Sequence, residues 1–382
     1  MKIEIKGIEF SNKGAELMLH SIVQMLDEQL PHYELVLSPG YLLPYQQRAK
    51  LGAWQKFSFQ CLGVDWTWLG NLAPLGLRRQ LRHFGIVVEK DIDVVLDASG
   101  FVYSDQWGSQ RLKQTLNQLK RLDRYQSKYI FLPQAFGPFQ QPENIHLMQQ
   151  IISHAGLLIA RDEQSLGSLK EVDTTAAAEK IKCFPDFTPL LDPIDTILSF
   201  ELPEKFVCII PNNKMFAGKS VESKNMYLDF LAKAIVSVES MGLMPVLLNH
   251  EGEKDYDFCL DLLKQLENKA VFLSGLSTFE TKKVIGLSVF CVSSRYHACI
   301  SSLSQGVPTI ATSWSHKYEA LYNYYQHSEY LMSVSDSAIL KEKMEQIVSD
   351  KTVISSQLLK QAEIHKATNR QMWRLIFNTV CQ

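Results

Sequence analysis

The sequence predicts an α/β protein built from two Rossmann-like domains, each with a mainly parallel sheet. Short apolar segments alternate with amphipathic helical segments along most of the chain, a pattern typical of parallel sheets covered by helices on both faces. A single proline-rich stretch interrupts this alternation. The chain has 382 residues, which is too long for one typical hydrophobic core.

The first series of elements occupies the N-terminal half. Strands are predicted at residues 2–8, 33–37, 91–97, 129–132 and 156–160. Helices are predicted at residues 15–30, 110–125, 144–154 and 162–169. Residues 185–203, which contain four prolines, are predicted to be a linker.

A second series follows the linker. Strands are predicted at 206–210, 244–249, 270–273, 289–292 and 309–311, and helices at 227–241, 256–266, 279–287, 297–305 and 317–325. Two such halves with a cleft between them predict a GT-B-like architecture. We expect an N-terminal Rossmann-like domain at 1–190, a second at 204–335, and C-terminal helices at 336–382 that pack back across the domains.

Composition excludes several classes of protein. A net charge of −2 lacks the basic excess of a nucleic-acid binder. The seven cysteines form no CxxC pair, which favours reduced thiols over a disulfide framework or a zinc site. An alternating strand follows Met1 directly, and no apolar run of about 20 residues exists to span a bilayer. These features predict a cytoplasmic protein without a bound metal; the oligomeric state stays open.

The most informative segment runs from Ser293 to Ile300. Arg295 and His297 stand where an apolar strand gives way to a helix, and open α/β sheets bind ligands at this end of their strands. Arginine binds phosphate or carboxylate, and histidine can move a proton near neutral pH. A capping arginine and a packed histidine are the structural alternative. Arg161 and Lys317 also follow predicted strands, which favours a shared anion site.

The setting of His297 predicts how its protonation is controlled. A helix N-terminus favours the neutral imidazole, whereas a bound anion favours the charged form. We therefore expect His297 to carry a proton when an anionic substrate is bound, and to act as a general acid only then.

Other strand ends and the first loop carry polar or small residues that are candidates for substrate binding, although each is also explained as an ordinary loop residue. The candidates are Asn12, Gly14, Glu16, Ser99, Gly100, Asn212, His250 and Ser294. The first loop lacks the GxGxxG and P-loop patterns, so a dinucleotide or ATP site is disfavoured.

The stretch at residues 64–83 carries tryptophans and leucines before Arg78, Arg79, Arg82 and His83. Its simpler interpretation is a core-facing segment with a solvated end. The alternative is peripheral contact with a membrane at its cytoplasmic face.

Several short motifs occur in a fixed order along the chain. They are Asn12-Lys13-Gly14-Ala15-Glu16, Asp97-Ala98-Ser99-Gly100, Pro133-Gln134-Ala135-Phe136-Gly137-Pro138, Arg161-Asp162-Glu163-Gln164-Ser165, Pro185-Asp186, Arg295-Tyr296-His297, Gly306-Val307-Pro308 and Lys317. In order and spacing this set resembles the polysaccharide pyruvyl transferase family over most of the chain.

That resemblance implies transfer of pyruvate from phosphoenolpyruvate, as co-substrate, to two hydroxyls of a glycan or lipid-linked sugar, which forms a ketal. It implies that Arg161 and Arg295 bind the donor and that His297 is the catalytic acid. The family often has a Gly-Gly pair where this chain has Ala98-Ser99-Gly100, a departure that concerns the acceptor.

Two other functions stay open. A GT-B glycosyltransferase would bind a sugar nucleotide in the second half, with Glu319 as a candidate for the ribose contact. A non-catalytic member of the family would lack some of Arg161, Arg295, His297 and Lys317, and all four are present.

Overall fold

A computed structural model describes residues 1–61, 64–173, 179–193, 195–267, 269–313 and 317–381. The chain forms two compact units. The first unit contains residues 1–10, 18–187 and 368–382, and the second contains residues 11–17 and 188–367. The predicted boundaries of 1–190 and 204–335 differ from this division at the first loop, which belongs with the second unit, and at the end of the chain, which belongs with the first.

The first unit is organised around an eight-stranded sheet in which every pair of neighbours is parallel. A separate antiparallel pair is formed by β4 (Gln60–Cys61) and β5 (Val64–Asp65). The large sheet has the order β10-β9-β8-β7-β1-β2-β3-β6. Its strands are β1 (Lys2–Lys6), β2 (Glu34–Leu37), β3 (Trp54–Lys56), β6 (Ile86–Val87), β7 (Val94–Asp97), β8 (Lys128–Gln134), β9 (Leu157–Ala160) and β10 (Ile181–Cys183).

The helices of the N-terminal half lie between these strands in the chain. They are α1 (Lys13–Gln29), α2 (Tyr45–Lys50), α3 (Leu75–His83), α4 (Gln110–Asp123), α5 (Pro142–His154) and α6 (Glu163–Val172). The first turn of α1 belongs with the second unit and the rest of α1 with the first.

The second unit has a six-stranded parallel sheet with the order β13-β12-β11-β14-β15-β16. Its strands are β11 (Phe206–Ile210), β12 (Met244–Leu248), β13 (Val271–Leu273), β14 (Cys291–Ser293), β15 (Thr309–Thr312) and β16 (Leu331–Met332). The helices after β11 are α7 (Val221–Ser240), α8 (Gly252–Gln265), α9 (Thr278–Leu287), α10 (Tyr296–Leu303), α11 (Lys317–Tyr324) and α12 (Leu340–Cys381).

The complete burial of several strands explains their continuous apolar sequences. The central strands β7, β9, β11 and β15 are buried at every position. Strands covered by helices on both faces lose the usual alternation and read as continuous apolar runs. The GT-B-like prediction of two Rossmann-like domains followed by C-terminal helical structure is confirmed.

Four strands of the two large sheets were not predicted. They are β3, β6, β10 and β16, each of two or three residues. Three of them, β6, β10 and β16, are sheet edges, and β3 is next to an edge. Segments this short show too few residues for a periodicity to be read.

The core-facing interpretation of residues 64–83 is wrong for most of its apolar side chains. No residue of α3 is buried, and Trp66, Trp68 and Leu72 are exposed. In the preceding 3₁₀ turn only Thr67 and Gly70 are buried. The described part of the chain contains no helix that is long and apolar enough to cross a membrane.

Candidate functional site

The candidate site lies in the second unit, where β14 ends and α10 begins. Arg295 occupies the N-cap position of α10, and its backbone is extended rather than helical. Its side chain makes no capping hydrogen bond, so it is available for other contacts. The predicted strand-to-helix junction is therefore present at this arginine.

Hydrogen bonds between buried groups hold the junction of β14 and α10 in place. The Ser294 hydroxyl accepts a hydrogen bond from the Tyr227 hydroxyl at 2.7 Å and lies 2.6 Å from the Thr312 hydroxyl. The Ser294 carbonyl accepts hydrogen bonds from Nδ2 of Asn212 at 2.8 Å and from the Tyr318 hydroxyl at 2.7 Å. In this structure Asn212 and Ser294 hold the strand end in place; the substrate contacts predicted for them stay predictions.

The guanidinium of Arg295 contacts two carboxylates of the β12–α8 region. Nε of Arg295 donates to Oδ2 of Asp255 at 2.9 Å, and Nη2 donates to the same oxygen. Nη1 pairs with Glu251. Asp255 is buried, whereas Glu251 is partly exposed. Arg295 is thus oriented by one buried acid and one that solvent can reach.

Burial acts on the ionisation of this pair. It lowers the pKa of Arg295 to about 10 and raises the pKa of Asp255 to about 7. The direct bonds between the two act on both pKa values in the opposite direction, because each charge stabilises the other. We therefore assign the Arg295–Asp255 pair as charged at neutral pH.

Three helix N-termini meet at this point. Asn12 caps α1, because its Oδ1 accepts hydrogen bonds from the backbone amides of Gly14 at 2.9 Å and Ala15 at 3.3 Å. Nδ2 of Asn12 donates to Glu251, the N-cap residue of α8, at 3.3 Å. Glu251 in turn pairs with Arg295, the N-cap residue of α10. Each helix N-terminus contributes partial positive charge at this point and favours a nearby anion.

His297 packs directly against the first turn of α1. A Cβ atom at residue 14 would stand 2.2 Å from Nδ1 of His297, closer than any side chain can approach. Gly14, a candidate of the predicted first loop, lies inside α1, and its φ is not in the left-handed region. Glycine is required there because the imidazole occupies the space of a side chain.

His250 adds a buried imidazole to the same cluster. Burial lowers the pKa of His250 well below its usual value. Positive charge on Arg295 and Lys13 lowers it further. Nδ1 of His250 has no hydrogen-bond partner among the described residues. A neutral, buried ring nitrogen of this kind is suited to contact a ligand.

Lys317 and Glu16 border this cluster. Nζ of Lys317 lies 5.0 Å from the ring centroid of Tyr296, whose ring meets His297 edge to face at 5.4 Å. Glu16 pairs with Lys13 at 2.7 Å on the first turns of α1. The second unit therefore brings together most of the predicted residues: Asn12, Gly14, Glu16, His250, Arg295, His297 and Lys317.

Arg161 belongs to the first unit, where it follows β9 directly. It is buried, and its Nη1 lies 3.6 Å from Oδ2 of Asp186. The next residue, Asp162, caps α6 by accepting a hydrogen bond from the Ser165 amide at 2.7 Å.

Ser99 and Gly100 also belong to the first unit, after β7. Oδ1 of Asp97 accepts hydrogen bonds from the Ser99 amide at 3.0 Å and from its hydroxyl at 2.5 Å. Oδ2 of Asp97 accepts from the hydroxyls of Tyr103 at 2.6 Å and Tyr129 at 2.5 Å. The buried carboxylate of Asp97 thus fixes the turn, and Gly100 adopts a positive φ of 75° within it.

Sequence reasoning missed Glu251, Asp255 and Lys13. Glu251 directly follows His250 and Lys13 directly follows Asn12, whereas Asp255 lies in the first turn of α8. The signal available in the sequence was a pair of acidic residues, Glu251 and Asp255, four positions apart and close after a predicted strand. Among the described residues, no cluster of three or more His, Cys, Asp or Glu is arranged to hold a metal ion.

Three solved structures of similar fold have names or bound ligands that refer to UDP or to a UDP-linked sugar. The UDP-GlcNAc 2-epimerase of Neisseria meningitidis, solved with UDP-GlcNAc, has a TM-score of 0.60 and 11% identity and covers 97% of this chain and 100% of its own. A putative UDP-N-acetylglucosamine 2-epimerase of Listeria monocytogenes has a TM-score of 0.59 and 11% identity, with coverage of 98% and 95%. Anabaena HepE, solved with UDP and glucose, has a TM-score of 0.58 and 13% identity, with coverage of 100% and 99%. At this identity the likeness shows the fold alone.

Sequence comparison gives more specific information. No curated protein sequence matches the chain. The family model for polysaccharide pyruvyl transferases matches residues 12–316, a range that runs from the N-cap of α1 past both predicted arginines and His297. The resemblance first seen in the ordered motifs is thereby confirmed, and the chain belongs to the polysaccharide pyruvyl transferase family.

Proposed function

We propose that the protein transfers pyruvate from phosphoenolpyruvate to two hydroxyls of a sugar in a cell-surface polysaccharide or its precursor, forming a ketal. The observation that carries this proposal is the cluster at the meeting point of α1, α8 and α10. It combines helix N-termini, the guanidinium of Arg295 and the imidazoles of His250 and His297. A small, multiply charged anion such as phosphoenolpyruvate matches this combination.

In the proposed reaction His297 gives a proton to the terminal methylene carbon of phosphoenolpyruvate, which becomes the methyl group. The central carbon then has oxocarbenium character, one sugar hydroxyl attacks it, and the proton of that hydroxyl returns to the imidazole of His297. A second hydroxyl displaces phosphate, which takes up the proton of this hydroxyl, and the ketal closes. General acid catalysis of this kind contributes about 10²–10⁴-fold. The adjacent anion supplies the negative charge that keeps His297 protonated.

Arg295 would receive the phosphate or carboxylate of the donor. Its pairing with Asp255 fixes the plane of the guanidinium, and the partly exposed Glu251 pairs with Nη1. We propose that the donor replaces Glu251 at Nη1 and leaves Asp255 in place. Lys317 would add positive charge beside Tyr296. A donor contact for Arg161 is proposed from the family resemblance alone.

A sugar nucleotide is the second candidate donor, because the structures of similar fold were solved with UDP or UDP-GlcNAc. Thermal unfolding in the presence of phosphoenolpyruvate, UDP, GDP and UDP-sugars separates the two. The proposal expects phosphoenolpyruvate to raise the melting temperature and the nucleotides to leave it unchanged, since a ligand stabilises the state that binds it. Stabilisation by a nucleotide alone would favour a glycosyltransferase.

A control identifies the site that is responsible. The Arg295→Lys variant keeps a positive charge but lacks the planar fork, so the shift with phosphoenolpyruvate should shrink. Arg374→Lys, an exposed arginine on α12, should leave the shift unchanged.

A further inference from the structure

Residues 66–84 form an exposed apolar surface on the first unit, which we call the 66–84 surface. Leu72 is 70% exposed and Phe84 is 78% exposed. Its other large exposed apolar side chains are Trp66, Trp68, Leu69, Leu75 and Leu77. Single exposed apolar residues are common, but seven within one short segment mark an interaction surface.

The backbone that carries this surface is anchored to the first unit. Arg78 and Arg82 pair with Asp91 at 2.6 and 3.3 Å, which ties α3 to the 3₁₀ turn at residues 89–91. Gly70 lies against Phe57, where a Cβ atom would stand 2.6 Å from the ring. Because these contacts use the inner side of the segment, the leucines and tryptophans are held on its outer side.

The charged residues within the segment are all basic, and Arg79 is the arginine among them that does not pair with Asp91 in the described part of the chain. Residues 66–84 contain three arginines and one histidine, and they contain no aspartate or glutamate. Arg79 and His83 are exposed beside the leucines of α3. Trp66 and Trp68 lie next to each other, with ring centroids 6.3 Å apart. Partly exposed tryptophans beside basic residues are typical of protein surfaces that enter the headgroup region of a bilayer.

We propose that the 66–84 surface docks on an anionic phospholipid bilayer, with the apolar side chains in the headgroup boundary and the exposed Arg79 on a lipid phosphate. A protein partner would need acidic residues to match this charge, whereas anionic headgroups supply it over any area. The inference goes beyond the proposed reaction and does not depend on it, because a bilayer without donor or sugar suffices for docking.

Flotation of the full-length protein with vesicles tests this proposal. The protein should float with vesicles of phosphatidylcholine mixed with phosphatidylglycerol, remain in solution with phosphatidylcholine alone, and dissociate as salt is added. Replacing Leu72 and Leu75 by serine should weaken binding by at least about tenfold, since burial of a leucine is lost at each position. Arg79→Glu should weaken it by at least about fivefold.

Matched controls use side chains of similar exposure elsewhere. Val221 and Val353 are 76% and 61% exposed, and their replacement by serine should leave flotation unchanged. Arg374→Glu, at an exposed position of α12, controls for the loss of one positive charge. Thermal unfolding establishes that each variant is folded, and Arg79→Glu changes only an exposed side chain. Failure of the unmodified protein to float, or flotation of the 66–84 variants equal to that of the controls, would overturn the proposal.

Discussion

Gly14 lies so close to His297 that a Cβ atom at residue 14 would stand 2.2 Å from Nδ1 of the imidazole. Residue 14 therefore has no room for a side chain, because the imidazole of a residue far away in the sequence fills that space. The contact fixes the imidazole against the N-terminus of α1, beside the Asn12–Glu251–Arg295 chain of contacts. We infer that the position of the proposed acid depends on a glycine in another helix.

The first prediction concerns that contact. Gly14→Ala should push the ring of His297 out of place and lower kcat by about hundredfold, because small displacements of a catalytic group are costly. Gly167→Ala is the control: this glycine lies within α6, and a Cβ there would meet nothing within 4 Å. It should keep full activity and gain about 0.5–1 kcal/mol of stability. A Gly14→Ala enzyme with normal kcat would show that the position of the ring is unimportant.

The second prediction separates the proposed acid from the proposed anion contact. His297→Ala should lower kcat by about 10²–10⁴-fold and leave the Kd for phosphoenolpyruvate within about threefold of its original value. Arg295→Ala should instead raise that Kd, because a charge-assisted contact is lost. Calorimetric titration gives Kd, and phosphate release gives kcat. Normal turnover by the His297 variant removes the acid assignment.

The third prediction gives the two acids beside Arg295 opposite roles. Asp255→Asn should raise the KM for phosphoenolpyruvate and destabilise the protein by about 3 kcal/mol, because a buried guanidinium loses a charged partner. Glu251→Gln should lower that KM or leave it unchanged, because a competing negative charge is removed from Nη1. Steady-state kinetics and urea unfolding of both variants provide the test. An equal rise in KM for both would contradict an exchange of Glu251 for the donor.

The fourth prediction is a dependence of stability on pH. Burial lowers the pKa of His327 to about 3, and its Nε2 accepts a hydrogen bond from the Thr309 amide at 3.3 Å. The unfolded chain binds a proton near pH 6.5 and the folded chain does not, so stability is lost as the pH falls below about 6.5 toward 3. His250, whose pKa is also lowered by burial, acts in the same direction.

The variant His327→Gln retains an acceptor at this position but does not titrate. Between about pH 7.5 and about pH 5.5, the original protein should lose about 1.4 kcal/mol more free energy of unfolding than this variant. Urea unfolding at the two pH values measures the difference. Equal losses in the two proteins would show that His327 does not contribute.

The fifth prediction concerns metals. The proposed proton transfer uses His297 and assigns no step to a metal ion, so incubation with EDTA followed by desalting should leave kcat unchanged. Restoration of lost activity by an added divalent cation would contradict the proposed chemistry.

Much of the fold could be predicted because buried strands leave continuous apolar runs in the sequence. The strands β11 and β15 were predicted to within one residue on this basis. The edge strands β6 and β16 have two residues each. They are strands because they pair with a neighbouring strand, and two residues are too few to show a pattern in the sequence. The exposure of residues 66–84 could not be predicted, because apolar composition does not specify which side of a segment faces the core.

The residues of the candidate site that follow predicted strands could be identified from the sequence. Arg295 and His250 were identified because the carboxyl ends of parallel strands meet at one edge of a sheet. The contacts of Arg295 with Glu251 and Asp255 were not predictable, because they depend on the packing of α8 in the folded protein. The need for glycine at residue 14 likewise arises from a tertiary contact that no local pattern contains.

Transfer of pyruvate from phosphoenolpyruvate is tested most directly by mass spectrometry of glycans after incubation with the protein. A lysate glycan pool with phosphoenolpyruvate should yield glycans heavier by one pyruvate ketal, together with an equal amount of inorganic phosphate. The His297→Ala variant should yield neither product. The account would be contradicted if glycans gained a sugar residue from an added sugar nucleotide and gained no pyruvate from phosphoenolpyruvate.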